Sequence, residues 1–255
     1  MEERQMKVNL HTHTARCGHA TGLDDEYVQA AIEMGYDKLG FSDHVPYPTK
    51  CFGMQPKDME DYLQSIASLK EHYKGKIDIL LGFECEPLPR HEDYLRELRK
   101  RVDYMILGSH GDMAMGEPHS SLLKTPQQLW YYYEQTVYGM DTGLYLYLCH
   151  PDLMLASWPE FEDTAREVSR ALCRAANERK MPVEYNLLGL IKGHKEDQLG
   201  YPCDAFWEVA AEENVTAVIG VDAHSPEQIL IGEMEKAKAK LRALGIRVLD
   251  DPMNI

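Results

Sequence analysis

Seven short apolar runs rich in β-forming residues recur along this chain, each separated from the next by enough residues for a helix. They read KVNL (7–10), KLGFS (38–42), IDILLGFE (77–84), YMILGS (104–109), LYLYLC (144–149), MPVEYN (181–186) and TAVIGV (216–221). Parallel strands need crossovers of roughly a dozen residues or more, and the crossover helices cover the sheet. Seven strand–helix units in 255 residues therefore point to an α/β fold, a distorted (β/α)7 TIM-like barrel, in a single domain spanning 1–255. A doubly wound open sheet is the alternative, but no glycine-rich dinucleotide fingerprint follows the first run.

The intervening segments carry helix signals of their own. Asp24 to Met34 is amphipathic and closed by Gly35. Thr125 opens TPQQ and Ser225 opens SPEQ. Each offers a capping hydroxyl, a proline at the first helical position and a glutamine three residues after the cap. The start, MEERQMKVNL, lacks a secretory pattern, and the longest apolar runs are too short for a bilayer, so a cytoplasmic protein without a membrane partner is expected. The formal charge of −15 opposes binding to long nucleic acid but allows a small phosphorylated substrate if bound metal ions offset the field. Six cysteines without a C-x-x-C pair suggest reduced thiols. Nothing in the chain fixes an oligomeric state.

The chemistry stands at the ends of the runs. His11 and His13, spaced i and i+2, share a face only if the backbone is extended, which places two imidazoles at one strand tip. His19 follows closely. Asp43 and His44 end the second run, Glu84 and Glu86 the third, His110 the fourth, His150 the fifth, and Asp222 and His224 the last. In a barrel these tips meet on one face. His11, His13, His19, His44, Glu84, His110, His150, Asp222 and His224 are more ligands than one ion uses, which implies two or three divalent ions bridged by a carboxylate. Imidazole dominance selects transition metals (zinc, manganese or iron) over magnesium or calcium. His72, His91 and His119 read as ordinary residues, and the aromatic stretch 129–138 as helix packing.

The order of these elements resembles the PHP (polymerase and histidinol phosphatase) superfamily. HTHTARCGHATG, GFSDH, CHPD, EYNLLGL, YP and GVDAH are similar to its histidinol-phosphatase branch, over about residues 7 to 245. The resemblance implies a trinuclear centre in a distorted (β/α)7 barrel. One ion would take His11, His13, Glu84 and Asp222, with Glu84 bridging to a second held by His110 and His150. The third would use His19, His44 and His224. It also implies hydrolysis of a small phosphate monoester, with L-histidinol phosphate the first candidate, through a metal-activated hydroxide. Asp222 would accept a proton from the water, and Asp43 would protonate the leaving alkoxide. Ile191 stands where the family has a phosphate-binding arginine, so Arg16, Lys192 and His194 are the candidate substrate contacts. No residue separates Ser109 from His110, where the family commonly has one. The competing readings are a phosphoesterase for another small substrate, an amidohydrolase-like metallohydrolase and a non-catalytic metal-binding module. Residues 46–58 are a candidate lid.

Overall fold

The computed structural model describes residues 6–49 and 53–254. β1 (Val8–Asn9), β2 (Lys38–Phe41), β3 (Asp78–Cys85) and β4 (Tyr104–Leu107) pair in that order in a four-stranded parallel sheet. β5 (Val183–Asn186), β6 (Thr216–Gly220) and β7 (Arg247–Val248) form a three-stranded parallel sheet. The helices are α1 (Asp24–Glu33), α2 (Met59–His72), α3 (Glu92–Arg99), α4 (Pro126–Asp141), α5 (Asp163–Glu178), α6 (Leu187–Lys192), α7 (Asp204–Glu212), α8 (Pro226–Ile229) and α9 (Met234–Ala243).

Six of the seven runs expected to be strands form them. The fifth, LYLYLC, does not. Its β-bridges centre on Leu148, which faces Leu107 on one side and Val183 on the other. Its backbone bonds are Leu146 N–H to Met105 O at 2.8 Å, Leu107 N–H to Tyr147 O at 3.0 Å and Cys149 N–H to Leu107 O at 2.9 Å on one side, and Leu148 N–H to Pro182 O at 3.0 Å and Glu184 N–H to Leu148 O at 2.8 Å on the other. The chain then leaves the extended path at His150, whose φ is +26°. β7 is the strand that the apolar pattern misses, because its Arg247 is exposed and only two residues pair. At the other margin, Thr12 bridges Ala223, with His13 N–H donating to Ala223 O at 2.8 Å.

Period-two alternation sorts the side chains. Val8, Leu10, Leu80, Tyr104, Ile106, Tyr147, Cys149 and Val218 form one small buried cluster. Their neighbours Leu39, Phe41, Ile79, Phe83, Met105, Leu107, Val183, Tyr185, Ala217 and Ile219 join the larger core shared with the helices. The sheets are thus curled, with a filled inner face and a helix-covered outer one. Glu84 follows the parity of Leu80, and Glu184 stands between outward-facing Val183 and Tyr185, so both carboxylates belong to the inner face.

Helix chemistry follows the sequence at the expected places. α1 ends with Gly35 in the left-handed region, at φ +69°. Thr125 and Gln128 form a reciprocal cap on α4, with Gln128 N–H to Thr125 Oγ1 at 3.3 Å and Thr125 N–H to Gln128 Oε1 at 3.1 Å. The five described cysteines are free and buried. No helix among the described residues is long and apolar enough to cross a membrane.

Candidate metal centre

The strand ends bring all nine expected ligands into one cluster. His13 is its hub: its ring centroid lies 5.2 Å from His11, 4.4 Å from His44 and 4.1 Å from His224. His19 lies 4.7 Å from His224, and His110 4.8 Å from His150. A cleft of about 300 Å³ is lined by His13, His19, His44, Glu84, His110, His150, Asp222 and His224, together with His119, Ser121, Leu153, Leu188, Lys192 and Tyr201. His11 is fully buried beneath it.

Glu84 sits between two groups of imidazoles. Its Oε1 is 2.9 Å from His150 Nε2 and 3.6 Å from His110 Nε2. Its Oε2 is 3.1 Å from His44 Nδ1 and 3.5 Å from Nε2 of both His11 and His13. A carboxylate that faces two ligand sets in this way suits a bridging role. Donor atoms of His11, His13 and Asp222 lie within 4.8 Å of one another, as do those of His11, Glu84 and His150, and of His19, His44 and His224.

Several donors lack what a finished polar core supplies. His11 Nε2, both ring nitrogens of His13 and His150 Nδ1 are buried without a hydrogen-bond partner among the described residues. Asp222 Oδ1 lies 3.0 Å from His13 Nε2, near enough to attract it but not aligned for a hydrogen bond. Each such buried group costs about 1–3 kcal/mol. His19 and His224 show the same demand. Their Nδ1 atoms face the carbonyls of Cys17 (3.2 Å) and Asp222 (2.9 Å), so in the neutral rings Nδ1 carries the proton. Their Nε2 atoms then face each other at 2.9 Å, lone pair to lone pair. A shared cation resolves that repulsion, and the donor set fits divalent transition metals.

The surrounding side chains fix these rings. Glu184 Oε1 accepts from His11 Nδ1 at 2.8 Å, while its Oε2 accepts from His150 N–H at 3.1 Å and Asn186 Nδ2 at 2.9 Å. Glu86 accepts from His110 Nδ1 at 2.6 Å and from its backbone N–H at 2.8 Å. Both pairs direct Nε2 toward the cluster, the usual way an imidazole ligand is oriented. Gln228, the capping glutamine of SPEQ, accepts from His224 N–H at 2.6 Å and Ser225 N–H at 3.2 Å. Two glycines give the carboxylates room. A Cβ at Gly220 would stand 1.7 Å from Glu184 Oε1, and one at Gly108 would stand 2.3 Å from Glu84 Oε1. His150 and Asp222, at φ +26° and +54°, hold conformations that cost non-glycine residues of order 1–3 kcal/mol and concentrate at functional sites.

Electrostatics ties the cluster to pH. Burial disfavours a charged His13, yet the Asp222 and Asp43 carboxylates outweigh it and raise its pKa to about 9. Burial likewise opposes charge on His110, which Glu84 and Glu86 raise to about 9. Burial would raise the Glu84 pKa, but His110, His44 and His11 hold the carboxyl well below its usual range. Burial, helped by the charge of His13, lowers His224 to about 3. In the metal-free protein, the stability from His13 and His110 is complete below pH 6.5 and is lost as pH rises toward about 9. His224 acts oppositely, because the unfolded chain takes up its proton as pH falls below 6.5. Metal-stripped protein is therefore expected to melt highest near pH 6.5 and to lose several degrees of Tm by about pH 9. Metal ligation uses deprotonated imidazoles, so the loaded protein should keep its Tm across that alkaline range. Parallel melting curves of stripped and loaded samples test this; a flat alkaline limb in the stripped protein would contradict it.

Some expected site residues are not brought to the cleft. Arg16 turns away, its Nη1 2.8 Å from Asp24 Oδ2 and its Nε 2.8 Å from Asp61 Oδ2. His194 is exposed and is not among the lining residues. Asp43 is fully buried: Oδ2 accepts from Thr14 N–H and Oγ1, and Oδ1 from His44 N–H at 2.8 Å. It positions the backbone around His13 and His44 and is not among the residues that line the cleft. Lys192 does line the cleft. In the loop expected as a lid, residues 50–52 lie outside the described residues, and Tyr47 and Met54 on either side are buried in the core. Two contributors escape a reading of the sequence. Glu184 looks like one polar residue within a strand. His119, expected to be ordinary, lines the cleft with its ring 5.1 Å from His110.

The PHP domain family model matches residues 9–187 of this chain. A protein of Deinococcus radiodurans named "Probable histidinol-phosphatase" is 28% identical over 230 residues, 86% of each chain. The crystal structure of a Listeria monocytogenes protein superposes with a TM-score of 0.70 at 20% identity, covering 89% of this chain and 98% of that one. Histidinol phosphate phosphatase from Lactococcus lactis, crystallised with zinc, L-histidinol and phosphate, also gives a TM-score of 0.70, at 19% identity over 95% of each chain. The family match ends at Leu187, so Asp222 and His224 join the cluster from beyond it.

Proposed function

The chain belongs to the PHP domain family, and from that premise we propose that it is a metal-dependent phosphatase that hydrolyses L-histidinol phosphate to L-histidinol and phosphate. The observation that carries the reading is the convergence of seven imidazoles and two carboxylates, several with unpartnered buried nitrogens, on one cleft. The named relatives are consistent with it in activity and in ligands: one was crystallised with zinc, L-histidinol and phosphate.

His11, His13 and Asp222 would hold one ion, His19, His44 and His224 another, and His110 and His150 a third, with Glu84 bridging. Such ions, when bound, supply Lewis-acid polarisation of a phosphate ester and acidify water. Asp222 is held well below the usual carboxylate range: burial would raise it, but His11 and His13 prevail. It therefore serves as an anionic ligand first and is a weak base for any proton transfer. Lys192 places an ammonium on the cleft wall for the substrate's phosphate. The bridges at Leu148 and between Thr12 and Ala223 support reading the two sheets as one distorted seven-stranded barrel in a single domain, with β7 outside the ring.

The test is phosphate release from L-histidinol phosphate by protein of measured metal content. Loaded enzyme should turn the ester over, lose activity on chelation and regain it when zinc or manganese returns. Turnover confined to other small phosphomonoesters would change the substrate. Full metal occupancy with no phosphate release from any ester would overturn the phosphatase reading.

A further inference from the structure

His119 and Lys192 both line the cleft, and the ring of His119 is fixed by its own loop. Its Nδ1 faces Ser121 N–H at 3.2 Å and Ser121 Oγ at 2.8 Å. A backbone amide can only donate, so Nδ1 is the acceptor and the neutral imidazole carries its proton on Nε2. The loop is tied down on both sides of the ring. Ser120 N–H donates to His110 O at 2.9 Å, and Asp112 N–H to Glu117 Oε2 at 2.7 Å. Tyr131 also bonds Glu117. Lys192 is the last residue of α6, whose N-cap Asn186 accepts with its side chain from Gly189 N–H at 3.2 Å and donates to Asp222 at 3.2 Å. Both the His119 loop and α6 are therefore tied to candidate metal ligands.

We propose that His119 is a substrate-contact residue, its Nε2–H donating to a phosphate oxygen of the ester while Lys192 neutralises charge beside it. A neutral donor adds direction to the attraction of a flexible ammonium, which acts as a point charge. This role rests on the phosphatase reading above.

Three substitutions separate the donor from the loop. His119→Asn keeps a side chain able to cap Ser121 N–H but loses the Nε2 donor. His119→Gln gives up the cap and places an amide donor near the Nε2 position. His119→Ala loses both. With metal-loaded protein, inorganic phosphate binding by calorimetry, KM and kcat for L-histidinol phosphate, and metal content are measured together. Asn and Ala should weaken phosphate binding and raise KM about tenfold, the effect of one hydrogen bond to a charged group, at unchanged metal content. Gln should recover most of the loss. Unchanged phosphate affinity and KM in Asn and Ala would overturn the proposal, as would loss of metal from them, which would make His119 a ligand. Absence of phosphate binding by the loaded wild type would overturn it too. Phosphate binding that depends on His119 in a protein without turnover would uphold this inference and refute the phosphatase reading. Turnover indifferent to His119 would do the reverse.

Discussion

An Asp222→Asn enzyme is expected to fold, to hold metal poorly and to lose turnover by on the order of 10²–10³-fold. The substitution keeps the shape of the side chain and removes its charge. Asp222 Oδ1 lies 3.0 Å from His13 Nε2 and 3.4 Å from His11 Nε2, and Oδ2 accepts from Asn186 Nδ2 at 3.2 Å. An amide in its place offers a weaker ligand and leaves the two buried imidazoles without their nearest anion on that side. The loss should therefore appear in metal content as well as in kcat. Metal analysis, circular dichroism and turnover on one preparation decide the matter. Wild-type metal content with wild-type kcat would remove Asp222 from the site.

A single methyl group is expected to do comparable damage without touching a ligand. In Gly220→Ala the new Cβ would lie 1.7 Å from Glu184 Oε1, far inside contact distance. The carboxylate is the mobile end of its side chain and will move. It will do so at the expense of its bonds to His11 Nδ1, His150 N–H and Asn186 Nδ2. Metal affinity should fall about 10–100-fold, the usual effect of losing an orienting partner. Stability should fall by about 1–3 kcal/mol from overpacking. Glu184→Gln is the companion variant, because it weakens the same contacts without the clash. Chelator competition on both, beside their melting curves, separates the two causes. A Gly220→Ala protein with unaltered metal affinity would show that Glu184 does not govern the centre.

Legibility in the sequence followed the range of the interaction that had to be inferred. Pairs such as His11 with His13, and Asp222 with His224, are local patterns on extended backbone and could be read directly. The SPEQ capping signal was equally local, although its second use, holding the His224 amide, could not be foreseen. Glu184 was hidden because its partner His11 lies 173 residues away. Arg16 shows the converse. It stands between two candidate ligands in the chain, yet side-chain direction is set in space, where Asp24 and Asp61 hold it. The fifth apolar run looked like its six companions. Its β-bridges are confined to Leu148, and the backbone leaves the extended path two residues later, at His150.

That arrangement has a mechanical consequence. The two sheets meet along two seams, one through Leu148 and one between Thr12 and Ala223. His11, His13, His44, Glu84 and His110 come from the four-stranded side, Asp222 and His224 from the three-stranded side, and His150 from the seam itself. Ions shared among them would rivet the halves together, and binding energy that favours only the closed form adds to folding stability. Emptied of metal, the molecule would part first along these seams, which the shared ions would otherwise clamp. The metal supply around such an enzyme would then govern how long each copy survives proteolysis, not only how fast it works.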